Sequence, residues 1–201
     1  MIKNIIFDIG NVLSDFSWKE MILSKGFDEE MAERIARASV NTVTWYEFDK
    51  GVYSDEEVVD LFVKNDPEIA DAIHKSFDEI YGMVKLKKET PAWLSDLKSR
   101  GYKLYYLSNY SQKALTYCPE ATPFFDEFDG GILSFRVKLT KPDPRIYKLL
   151  LDTYSLDPGE CVFIDDTLRN VKAAEEAGIR SIRYLNSEQA HEDLEKVLMS
   201  T

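Results

Sequence analysis

The chain has 201 residues, is 44% hydrophobic and 30% charged, and carries a formal net charge of -11. That length holds one sizeable core, or one core with a small appended unit. An acidic surface repels phosphate backbones and anionic lipid, so nucleic-acid and membrane-surface partners are not expected. Cys118 and Cys161 make no disulfide framework, and a reducing compartment fits them. No apolar run is long enough to span a bilayer, and Asp8 interrupts the N-terminal one, so neither a membrane span nor a signal peptide is expected. The expectation is a cytoplasmic protein, monomer or homodimer.

Ile5, Ile6 and Phe7 form a short β-favouring run that ends at Asp8, with Gly10 and Asn11 directly after it. This reads as a buried strand opening into a turn. From about Trp18 to Val84 the patterns are helical, with no convincing strand. Asp28 caps a helix to Val40, and Thr42 to Lys50 forms a short one stopped by Gly51. Ser54 and Glu57 have capping-box spacing at the start of another. Asp66-Pro67 opens a helix in which Ile69, Ile73, Phe77 and Ile80 share one face.

From Lys85 strands and helices alternate. A helix capped by Thr90-Pro91 ends at Gly101, and a strand over 104–107 stops at Ser108-Asn109. A short helix spans 111–117 and a brief strand 130–134. Pro144 opens a helix to Tyr154, and Cys161 to Ile164 is a buried strand running into Asp165-Asp166. A helix over 170–177, a strand over 181–185 and a helix over 188–199 complete the chain. Apolar strands alternating with helices predict an α/β fold, a Rossmann-like parallel sheet core with an inserted helical-bundle cap. The core takes residues 1–15 and 85–201, and the cap residues 16–84.

Three of these strands end in polar residues: Asp8, then Ser108-Asn109, then Asp165-Asp166. Lys141 precedes the helix that Pro144 opens. The carboxyl ends of parallel strands share one edge, where ligands bind in open α/β sheets. Gathered carboxylates repel one another and need a cation, and an all-oxygen ligand set suits Mg²⁺. Lys141, Ser108, Asn109 and the turn amides near Ile9 and Gly10 then suit the oxygens of a phosphate. A carboxylate left free beside it is a candidate nucleophile. Each piece alone is an ordinary turn or helix start. All four in this order, each at a strand end or helix start, are much harder to assign to chance.

The sequence resembles the haloacid dehalogenase-like hydrolase superfamily, in the subgroup whose helical cap follows the first strand. The matching stretches run from Phe7 to Leu13, from Leu107 to Asn109, from Lys141 to Tyr147 and from Phe163 to Asp166. The first motif is most similar to the branch of bacterial α-glucose-1-phosphate phosphatases, and more distantly to the phosphatase domain of soluble epoxide hydrolases. The resemblance implies a Mg²⁺-dependent phosphatase of small phosphorylated metabolites, sugar phosphates above all. It implies that Asp8 attacks phosphorus and forms an aspartyl phosphate. Asp8, the main-chain carbonyl of Gly10 and Asp166 would bind Mg²⁺, with Asp165 in the same shell directly or through water. Ser108 and the Asn109 amide would bind phosphate oxygens, and Lys141 would neutralise Asp8 and the phosphate. An aspartate with its ordinary pKa of ~3.9 needs no base to activate it.

One position departs from that pattern. Most phosphatases of this superfamily have a second aspartate two residues after the nucleophile, as proton donor and then base; here it is Gly10. Two repairs are open. The leaving group is a stabilised one, such as a sugar 1-phosphate, or a cap carboxylate such as Glu47 or Asp49 reaches the site. The first is favoured on sequence. The dehalogenases also lack the second aspartate, but paired aspartates where a metal would sit favour phosphoryl transfer over metal-free attack at carbon; the other alternative is a weakly active phosphate-binding protein, made so by Gly10.

Overall fold

A computed structural model describes residues 1–200. Its strands are β1 (Asn4–Phe7), β2 (Ser14–Phe16), β3 (Val84–Leu86), β4 (Lys103–Ser108), β5 (Gly130–Leu133), β6 (Cys161–Asp165) and β7 (Arg180–Arg183). Five of them form a parallel sheet in the order β5-β4-β1-β6-β7. β1 and β6 are buried along their whole length, which is why both read as continuous apolar runs. Chain order reverses beside β1, so its carboxyl end opens a crevice of the kind α/β proteins use for ligands.

Five helices follow β2: α1 (Trp18–Ser24), α2 (Glu29–Ala38), α3 (Trp45–Lys50), α4 (Asp55–Asn65) and α5 (Ala70–Asp78). Their starts follow the local chemistry. The Asp28 side chain accepts from Met31 N, and Ser54 with Glu57 closes a complete capping box. Gly51 ends α3 in the left-handed conformation at φ 60°. Ile69, Ile73, Phe77 and Ile80 are all buried. Pro67 opens a 3₁₀ turn over Pro67–Ile69 rather than the α-helix itself, which begins at Ala70.

The remaining helices are α6 (Thr90–Ser99), α7 (Gln112–Tyr117), α8 (Ser134–Val137), α9 (Pro144–Tyr154), α10 (Leu168–Glu176) and α11 (Ser187–Met199). Thr90 is the first residue of α6 rather than its cap, and its hydroxyl donates to Leu13 O. The sequence reading lacks one feature altogether. β2 and β3 pair antiparallel as a two-stranded ribbon, with Ser14 opposite Leu86 and Phe16 opposite Val84. Each strand has only three residues, each has a charged residue at its centre, and the partners are separated by the whole cap. No local turn signal announces such a pair. The ribbon stands where the chain leaves the sheet for the cap helices and where it returns.

Candidate active site

The parallel register brings the polar strand ends together. Phe7 lies beside Ile164 on one side and Tyr106 on the other, so Asp8, Ser108 and Asp165 reach the same edge. Asp8 Oδ1 accepts from Ile9 N at 2.7 Å and from Ser108 Oγ at 2.7 Å, and Lys141 Nζ lies 2.9 Å from it. Asp8 Oδ2 accepts no hydrogen bond from the described residues. The carboxylate is therefore held by one oxygen and left open at the other. The Ile9 amide and the Ser108 hydroxyl, expected on a phosphate, are aimed at Asp8 itself.

Lys141 is 1% exposed. Its ammonium also lies 2.6 Å from Asp165 Oδ2. Burial alone works against its charge, but the two carboxylates outweigh burial and hold it above its ordinary range. The Asn109 side chain fixes the segment: its Oδ1 accepts from Lys141 N at 2.7 Å and its Nδ2 donates to Lys141 O at 3.0 Å. Asp165 has no exposed surface, and Thr167 N and the Asn170 amide hydrogen-bond it. Its two oxygens are thus engaged, and it anchors Lys141.

Asp166 is the more open member of the pair. Its Oδ2 accepts from Asn11 Nδ2 at 3.1 Å and its Oδ1 from Thr167 Oγ1 at 3.2 Å. Asn11 sits at φ 60°, and its Oδ1 accepts from Phe16 N, so it ties the first loop to the ribbon. Sequence reasoning gave no role to Asn11 or Asn170. Asn170 lies in the first turn of α10, where a polar side chain can turn back onto the preceding strand end.

Oxygens of Asp8, Asp165 and Asp166 lie within 4.8 Å of one another. Three carboxylates face one buried ammonium. Burial pushes Asp8 up, Lys141 pulls it down, and Asp165 and Asp166 push it up again, to about 7. The sequence expectation of a fully ionised Asp8 thus requires a further cation. The clustered oxygens of Asp8, Asp165 and Asp166, all hard donors, fit Mg²⁺.

Above this edge lies a cavity of about 430 Å³. Asp8, Gly10, Asn109, Lys141 and Asp166 line its floor, and Phe16, Asn41, Thr42, Trp45, Tyr46 and Tyr110 are among its walls. Trp45 also packs against Phe48 and Phe62, with ring centroids 4.9 and 5.9 Å away, so it serves cap core and cavity together. Trp18 and Tyr53 are not in the lining. Arg169 is, with its guanidinium 5.0 Å from the Tyr46 ring. Of the two cap carboxylates, Glu47 pairs with Lys50 at 2.8 Å, whereas Asp49 is buried and lines the cavity.

Burial pushes Asp49 from its ordinary 3.8 up to about 8; the nearby Asp8 charge adds to this and Lys141 opposes it. In that window the folded protein keeps a proton that the unfolded chain has released. The contribution of this carboxyl to the stability of the metal-free protein therefore falls as pH rises from 3.8 to about 8. Asp49→Asn removes this loss. Its stability gain over wild type, by urea denaturation in chelator, grows from nil near pH 4 to several kcal/mol at pH 8. A gain that does not change with pH contradicts the assignment.

Residues 2–178 match the haloacid dehalogenase-like hydrolase family. Among curated proteins, the chain is 25% identical over 185 residues to a sesquiterpene phosphatase of Aspergillus oryzae, covering 92% of this chain and 91% of that protein. It is 24% identical over 220 residues to a D-ribitol-5-phosphate phosphatase of Bacteroides thetaiotaomicron, covering both in full. A haloacid dehalogenase family enzyme of the same organism, solved with magnesium and inorganic phosphate, superposes with a TM-score of 0.69 at 25% identity, over 91% of this chain and 94% of that one. With a family match across most of its length, the chain belongs to the haloacid dehalogenase-like hydrolases.

Proposed function

We propose that this enzyme, a phosphoric monoester hydrolase, cleaves a small sugar phosphate through a phosphoryl group carried on Asp8. The observation that carries this reading is the state of Asp8. One oxygen is fixed by Ile9 N, Ser108 Oγ and Lys141, and the other is free beside Asp166 at the floor of a cavity. A fixed carboxylate with one open oxygen is a preorganised nucleophile. Asp8, the Gly10 carbonyl and Asp166 would hold Mg²⁺, with Asp165 behind them through water. When bound, the ion offsets the charge of the approaching phosphate. Lys141 neutralises Asp8 and one phosphate oxygen, while Gly10 and Asn109 edge the phosphate. Ile9 and Ser108 contribute by orienting Asp8.

The cavity size suits a small substrate, and Asn41, Thr42 and Arg169 offer hydrogen bonds suited to hydroxyl groups. The D-ribitol-5-phosphate phosphatase relative supports the same class. The test is a panel of phosphomonoesters, sugar 1-phosphates and terminal sugar phosphates included, run beside 2-haloacids with Mg²⁺ and with chelator. Phosphate release is expected only with the metal, and fastest on sugar phosphates. Halide release under chelation contradicts the reading.

A further inference from the structure

We propose that Asp49, contributed by the cap, is the proton donor and acceptor that replaces the side chain missing at Gly10. This rests on the phosphatase reading above. It selects the cap carboxylate over the stabilised leaving group that the sequence favours.

Three observations carry it. The first is vacancy at Gly10: a Cβ built there meets nothing within 4 Å, so the space beside Asp8 is open to a leaving group and to a carboxyl from above. The second is placement. Asp49 lines the same cavity as Asp8, is 8% exposed, and its carboxyl makes no hydrogen bond or ion pair with the described residues. A buried carboxyl without a partner is costly, and such costs concentrate where a group is used.

The third is fixation. Asp49 does not ride on a loose lid. Ser134 Oγ donates to Asp49 O at 2.6 Å and accepts from Tyr110 N at 2.9 Å. The Lys138 ammonium donates to Gly51 O at the end of α3. A Cβ at Gly51 would lie 3.1 Å from Phe135 Cβ, so α3 and α8 are in close contact. Tyr110 lies two residues beyond Ser108, which binds Asp8. One buried hydroxyl therefore links the helix carrying the proposed acid to the loop beside the nucleophile. The charged and titratable groups that line the cavity with Asp49 are Asp8, Asp166, Lys141, Arg169 and the phenols of Tyr46 and Tyr110. Burial among them favours the neutral carboxyl, the form that can donate.

The steps balance. As Asp8 Oδ2 bonds to phosphorus, the bond from phosphorus to the ester oxygen breaks, and Asp49 gives that oxygen its proton. The ionised Asp49 then takes a proton from water as the water oxygen attacks phosphorus. The bond to Asp8 breaks, phosphate leaves, and Asp49 is again protonated.

The test uses Asp49→Asn, which keeps the shape and neutrality of the protonated side chain, in the full-length enzyme with Mg²⁺. The loss of kcat/KM, which covers only the steps through departure of the leaving group, is expected to be about 10²-fold or more on an alkyl phosphate, whose alkoxide leaves poorly. On p-nitrophenyl phosphate, whose leaving group needs no proton, it is expected to be under about 10-fold. Adding Gly10→Asp to that variant should recover part of the alkyl phosphate turnover, and Asp49→Glu should lose less than Asp49→Asn. Equal losses on both esters, no loss, or no recovery with Gly10→Asp overturns the assignment. A wild type without phosphatase activity fails the phosphatase reading instead, so the two failures are distinct.

Discussion

Lys141→Met should both destabilise the protein and nearly silence it. The ammonium lies 2.9 Å from Asp8 and 2.6 Å from Asp165, with almost no exposed surface. Methionine fills much the same volume but leaves two buried carboxylates facing each other without a cation. Breaking a buried pair in this way costs about 3–5 kcal/mol. The same substitution removes fixed positive charge from the point where charge builds up on the transferring phosphoryl group, a loss of about 10²–10³ in kcat or more. Urea denaturation in chelator reads the first effect, and turnover at saturating Mg²⁺ the second. Lys148→Met is the control, because that lysine is exposed and its ion pair is with Asp152 at the surface; it should change stability by under about 0.5 kcal/mol. A stability loss within that range for Lys141→Met, or a kcat within ten-fold of wild type, contradicts the role given to the ammonium.

Much of the site was legible because it sits where strands stop. Ile5 to Phe7 and Cys161 to Ile164 are apolar runs too uniform to be half exposed, and an aspartate directly after each marks the edge of a parallel sheet. The cap signals were legible for a different reason. Asp28, Ser54 and Gly51 act within one helical turn, so spacing alone reveals them. The rest depends on contacts across long stretches of chain. The β2–β3 ribbon, the Asn11 bond to Asp166 and the Ser134 link between Asp49 and Tyr110 join residues separated by 24 to 155 positions. The choice between Glu47 and Asp49 was nearer to reach. Phe48 and Asp49 stand three and four residues after Trp45, on the buried side of α3, while Glu47 turns toward Lys50. The dependence of Asp8 on a cation is not legible in a sequence, which carries no burial; the buried carboxyl needs a metal to ionise fully where an exposed one would not.

Asp8→Asn should abolish turnover while the fold persists. The variant keeps an oxygen to accept from Ile9 N and Ser108 Oγ, and Lys141 retains Asp165. It lacks the anionic oxygen that attacks, so kcat should fall by at least about 10⁴-fold. The most direct measurement is rapid acid quench of the wild type during turnover with Mg²⁺, followed by mass spectrometry of the peptide containing Asp8. The expected result is one added phosphoryl group on Asp8, sensitive to hydroxylamine and absent from Asp8→Asn and from the metal-free enzyme. A phosphoryl group on another residue, or full phosphatase activity in Asp8→Asn, would contradict it.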